Sequence, residues 1–126
     1  MKNAALELAP YNVRCNAVCP GAVDAKIWDN SMGYGLFVPP GVEANRDLAL
    51  DAVYHYSPLA GRSALPPNVS SNAAVFLLSD LAEHITGVAL PVDAGHLLMP
   101  GFNHVPVKTG AEAERHRPPA VSPDDL

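Results

Sequence analysis

Four consecutive residues, Pro20-Gly21-Ala22-Val23, stand where a ligand is most easily accommodated by a chain of this kind. They close an apolar, alternating segment, Val13 to Val18, that reads as a buried strand running into a turn. In open α/β sheets, ligands collect beyond the carboxyl ends of the strands. A proline there fixes the direction of exit, and a glycine lets the backbone come close to a flat ring. The same residues also make an ordinary turn, and by themselves they leave both readings open.

The other chemically suggestive residues carry less. Gly33-Tyr34-Gly35 looks like the start of a dinucleotide loop, but Val38 holds the third glycine position. No strand precedes it, and Pro39-Pro40 forbids the required helix start, so phosphate binding is refused. His55, His84, His96, His104 and His116 show no spacing that brings two onto one helix face, and no metal site is predicted. Cys15 and Cys19 lie four apart in an extended segment, too far apart for an undistorted bridge. They read as two small core residues rather than a metal or redox pair, in a reducing cytoplasm. Asp93, in Val92-Asp-Ala-Gly95, reads as a carboxylate holding a turn.

The elements that must position these residues follow from periodicity. Lys2 to Ala9 is rich in helix formers and meets Pro10, so it reads as the end of a helix. Residues 22–60 are rich in breakers, with a short helix expected around Asp47 to Val53. An irregular stretch of that length is usually a lid or binding loop. Asn68 is a plausible N-cap for a helix over Val69 to Ser79, with Val69, Ala73, Phe76 and Leu77 on its apolar face. A strand over Val88 to Val92 follows, with Pro91 calling for an edge position. Strand, helical crossover and strand make one right-handed βαβ unit with parallel strands.

The chain has 126 residues, 48% of them hydrophobic and 17% charged, with a net charge of -5. That composition suits a globular protein rather than a disordered one, and the scattered basic residues argue against a nucleic-acid partner. No apolar run approaches the roughly 20 residues that cross a bilayer, so no membrane partner is expected either.

Leu6-Glu-Leu-Ala-Pro10, then Asn12-Val-Arg-Cys-Asn-Ala-Val-Cys-Pro-Gly21, resembles the helix end and sixth strand of the short-chain dehydrogenase/reductase family. Leu77-Leu-Ser-Asp80, Ile85-Thr-Gly87 and Val92-Asp-Ala-Gly95 are similar to its last helix and seventh strand. Asp29-Asn-Ser-Met32, Leu36-Phe37 and Leu90 to Leu98 resemble carveol-type dehydrogenases, including the mycofactocin-associated group. The resemblance implies the last two strands and intervening helices of a doubly wound, Rossmann-like parallel sheet. Residues 1–100 would be the C-terminal part of that domain, 26–66 its substrate-loop region, and 101–126 a mobile tail.

The resemblance also implies a function. Pro20, Gly21, Ala22 and Val23 would lie against the nicotinamide of NAD or NADP, NAD being favoured by the subfamily, with Val23 contacting the carboxamide through backbone atoms. Ala25 departs from the family's usual threonine, removing one hydrogen bond worth about 0.5–1.5 kcal/mol net. Trp28, Met32, Tyr34 and Phe37 would line the loop over a small hydrophobic alcohol or ketone, or would simply pack on the sheet or an oligomer face. The family's acid/base tyrosine works because a lysine four residues on lowers a phenol pKa near 10. Tyr11, Tyr34, Tyr54 and Tyr56 are followed at that spacing by Cys15, Val38, Pro58 and Ala60, so no catalytic residue is assigned. The glycine-rich nucleotide loop is likewise not in this sequence. The expectation is therefore the C-terminal portion of an NAD(P)-dependent oxidoreductase, or alternatively a non-catalytic fragment acting as an interaction or structural remnant. A carrier-linked ketoreductase would favour a basic surface for its acidic carrier, against the net charge here. A homo-oligomer is expected, with Leu97, Leu98, Met99 and Phe102 at its interface or packed within the chain.

Overall fold

The computed structural model describes residues 1–108. Helix α1 (Lys2–Leu8) runs into a single 3₁₀ turn at Ala9–Tyr11, where Pro10 occupies an early position that needs no amide hydrogen. Asn12 then takes a left-handed conformation (φ 57°), one of the few conformations asparagine tolerates better than most residues. This reverses the chain into the sheet.

Strand β1 (Ala17–Pro20) pairs in parallel with β2 (Ala89–Val92), Ala17 opposite Ala89 and Pro20 opposite Val92. The expected α/β arrangement and parallel pairing are both present. β1 begins four residues later than the apolar pattern predicts, because the Asn16 side chain bonds where the backbone ladder would continue. Asn16 donates from Nδ2 to the Ile85 carbonyl (2.8 Å) and accepts the Val88 N–H on Oδ1 (3.0 Å). The Thr86 hydroxyl accepts the Cys15 N–H (3.1 Å). The carbonyls of Val88, just before β2, and of Val92, at its end, face β1, accepting from Ala17 and Gly21. The Pro91 nitrogen therefore faces the outer edge, where a missing donor costs no ladder bond.

Between the strands come α2 (Ser31–Gly35), α3 (Arg46–Val53) and α4 (Asn68–Leu78). α2 was not predicted, since Gly33 and Gly35 read as breakers; the Asn30 side chain starts it by accepting the Gly33 N–H (2.9 Å). Asn45 caps α3 in the same way through the Leu48 N–H (3.0 Å). Asn68 does not cap α4: Pro67 already has helical φ and ψ, so Asn68 becomes the first helical residue and makes no capping bond. At the other end of α4, Arg14 donates to the Leu77 carbonyl and to the Ser79 carbonyl (3.4 Å), satisfying the last turn.

The core is small. Ala5, Ala49, Val53, Leu65, Leu77 and Ala82 are the buried apolar residues among those described. Of the face predicted for α4, Leu77 is buried, while Phe76 lies at the surface with Val75 and Leu78. Cys19 is exposed and Cys15 half-buried, so the expectation of two core cysteines fails: nothing among the described residues covers the outer end of β1. Residues 101–108, placed by the sequence at the head of a tail, are tied back instead. Asn103 donates to the His55 carbonyl (2.7 Å), and Val107 accepts the Gly61 N–H (2.5 Å). The remainder of the predicted tail, 109–126, lies outside the described residues. No helix among the described residues is long and apolar enough to cross a membrane.

Candidate functional site

Both strands end at one point. The Gly21 N–H donates to the Val92 carbonyl (3.0 Å), drawing the turn after β1 against the turn after β2. A Cβ on Gly21 would lie 2.9 Å from the Asp93 Cα, so the approach demands glycine. The chain leaving Gly21 is then pinned on its far side. Leu65 donates to the Ala22 carbonyl (2.7 Å) and accepts the Asp24 N–H (2.8 Å), forming an isolated parallel bridge with Val23. Because Ala22 and Asp24 face Leu65, the Val23 N–H and carbonyl face the other way. The Val23 carbonyl accepts from the Trp28 indole N–H, and its N–H has no partner among the described residues.

A polar clamp holds this indole in place. Arg46, on α3, pairs with Asp24 (2.7 Å) and Asp29 (3.3 Å) and lies over the Trp28 ring at 5.9 Å. The Tyr34 hydroxyl donates to the Asp29 carboxylate. The ion pairs are about 40% exposed, so each contributes at most about 1 kcal/mol; their value is geometric, since one guanidinium ties three parts of the loop together. The hydrogen bond to Asp29 raises the pKa of Tyr34 above its ordinary value, assisted by desolvation and the negative charge on Asp29. Tyr34 therefore supports the loop through its neutral form. That support is present below the ordinary phenol pKa of about 10 and is lost as pH rises through the elevated value. In an alkaline absorbance titration, Asp29→Asn is expected to shift the Tyr34 ionisation to lower pH. An unchanged titration would mean that the hydroxyl does not bond Asp29.

Edge-to-face contacts carry the aromatic layer from the clamp to the strand ends. Trp28 meets Tyr34 (5.9 Å) and Phe37 (5.7 Å), and Phe37 meets Tyr56 (5.9 Å). Between this layer and the strand ends is a cavity of about 300 Å³ lined by Gly21, Ala22, Phe37, Tyr56, Ser57 and His96, with Leu65 and Asp93 at its walls. Asp93 holds the turn, as the sequence suggested: its carboxylate accepts the N–H groups of Gly95 (2.9 Å) and Leu97 (3.0 Å). Those bonds place the intervening His96, whose ring stacks on Tyr56 at 5.1 Å.

Gly21 and Ala22 are thus brought together with Phe37, while Trp28 and Tyr34 stand one layer behind. Met32 is 82% exposed and does not line this cavity, and Pro20 is exposed and does not line it either. Arg46 and Asp24 were not singled out from the sequence, and Tyr56 and His96 were weighed there only for catalysis and for metal binding. The available signal was positional: His96 directly follows the Asp93 turn, at the end of a strand.

Residues 1–96 match the sequence family described as enoyl-(acyl carrier protein) reductase. The chain is 38% identical over 104 residues to (-)-trans-carveol dehydrogenase of Rhodococcus erythropolis, covering 78% of this chain and 35% of that protein. It is 37% identical over 92 residues to a short-chain dehydrogenase/reductase of Penicillium canescens, covering 73% and 34%. Its fold superposes on the crystal structure of carveol dehydrogenase from Mycobacterium avium in complex with NAD, with a TM-score of 0.72 and 34% identity, over 79% of this chain and 35% of that one. The chain spans about a third of the length of these relatives.

Proposed function

Because the chain belongs to the short-chain dehydrogenase/reductase family, we propose that it forms the nicotinamide-side wall and substrate loop of an NAD(P)-dependent oxidoreductase that interconverts a small hydrophobic alcohol and its ketone. The observation that carries this reading is the free Val23 N–H at the strand ends, held by the Leu65 bridge and the Trp28 indole. That N–H is a ready donor for a carboxamide oxygen. When bound, the nicotinamide supplies or accepts the hydride. Gly21 and Ala22 let it approach, and Phe37 and Tyr56 exclude water from the adjoining space. NAD is the cofactor favoured over NADP, supported by the NAD complex of the M. avium relative.

The substrate class follows the carveol-type relatives. A cavity of about 300 Å³ is at the small end for ligand sites, which suits a single-ring compound. Leu97 and Leu98 are 70% and 85% exposed, and with Phe102 they suit a homo-oligomeric face in a cytoplasmic enzyme.

A chimera tests the reading. Residues 1–100 of this chain replace the matching last third of the R. erythropolis dehydrogenase, whose own front part supplies the remaining machinery. NAD-dependent oxidation of carveol by the chimera is the expected result. A folded chimera that binds NAD but does not turn over would overturn the assignment of the wall. The 126-residue chain assayed alone is expected to show no hydride transfer, since no tyrosine in it is followed by lysine at the required spacing.

A further inference from the structure

The cavity at the strand ends contains more hydrogen-bonding capacity than a single-ring mono-alcohol uses. Tyr56, Ser57 and His96 all line it, and neither the two hydroxyls nor the His96 Nε2 bonds to anything among the described residues. The tautomer of the His96 ring is set by its other nitrogen. Nδ1 lies 3.0 Å from the Tyr56 carbonyl, which can only accept, so Nδ1 is the donor, and of the two neutral tautomers the one selected leaves Nε2 as the acceptor. The ring is also fixed in place. It stacks on Tyr56, the Asp93 carboxylate bonds the amides on either side of it, and Gly95 (φ 88°) packs against Pro58. A fixed acceptor in a small, mostly apolar cavity selects for a donor.

We propose that His96 is a substrate-binding residue whose Nε2 accepts a hydrogen bond from a second, non-reacting hydroxyl, so that the site takes small cyclic diols in preference to mono-alcohols. This rests on the reading of the site as the substrate side of an oxidoreductase.

The test uses the full chain, with trans-cyclohexane-1,2-diol and cyclohexanol as probes, followed by NMR titration. A plain apolar cavity would prefer cyclohexanol, because the extra hydroxyl must leave water. The proposal predicts the reverse, with the diol about 3- to 10-fold tighter, the weight of one neutral hydrogen bond. The diol should also move the His96 Nε2 resonance, and cyclohexanol should not. His96→Phe, which keeps the stack on Tyr56, should erase the preference, and His96→Gln, which keeps an acceptor, should retain part of it. Equal affinities, a preference for cyclohexanol, an unmoved Nε2 resonance or a preference that survives in His96→Phe would each overturn the proposal. Nicotinamide mononucleotide, titrated into the same samples, reports on the cofactor wall separately through the Val23 N–H. Loss of that contact with the diol preference intact would remove the cofactor reading alone.

Discussion

Gly33→Ala is expected to unfold the loop helix α2 and release Trp28, although helix propensity alone predicts the opposite. Alanine is favoured over glycine inside a helix by about 1 kcal/mol. Here the added Cβ would run into the Trp28 carbonyl oxygen and lie 2.6 Å from its Cα. Those are backbone atoms, which no rotamer change can move aside. The clash must be relieved by moving α2 away from residues 28–30, at a cost of about 2–3 kcal/mol or more. That movement breaks the Asn30 cap and draws Tyr34 off Asp29. Trp28 is the chain's single tryptophan, so its fluorescence reads the outcome directly. Emission should shift to the red as the indole leaves the Val23 carbonyl and enters water. Gly35→Ala is the internal control: its Cβ meets nothing within 4 Å, and the emission should stay where it is. Equal behaviour of the two variants would show that α2 does not press on Trp28.

Gly33 also shows what was legible in the sequence and what was not. As part of Gly33-Tyr34-Gly35 it reads as a breaker or a failed phosphate loop, because local pattern reports only backbone freedom. Its requirement comes from Trp28, five residues earlier and folded across it, and no periodicity encodes that approach. The strand-helix-strand frame was readable because each part has a local signature: apolar alternation before Pro20-Gly21, a 3.6-residue period in α4, and Asp93-Ala94-Gly95 after β2. The strand boundary failed at Asn16, where a side chain bonds in place of the backbone. The face of α4 failed at Phe76, because an apolar helix predicts burial without saying what covers it. Arg46 was invisible for a related reason. Its partners, Asp24 and Asp29, are 22 and 17 residues away, and a single arginine near the start of a short helix carries no signal of them.

Gly21→Ala should damage the site without touching the loop. The new Cβ would sit 2.9 Å from the Asp93 Cα and 3.0 Å from its Cβ, so the turns after β1 and β2 must separate by several tenths of an ångström. Overpacking of this kind costs about 1–3 kcal/mol. The consequences fall on both sides of the contact. On the β1 side, the Gly21 N–H bond to Val92 lengthens, and its amide should exchange faster with solvent. On the β2 side, Asp93 moves with its bonds to Gly95 and Leu97, which displaces His96 from the cavity. Trp28 is held from the other end of the segment by Arg46 and should keep its emission unchanged. Binding of nicotinamide mononucleotide should fall by about tenfold or more, since about 1.4 kcal/mol of misplacement suffices for that. Retained affinity together with faster Gly21 exchange would separate strand closure from cofactor contact, and would move the nicotinamide wall off the Gly21-Ala22 turn and onto Val23 alone.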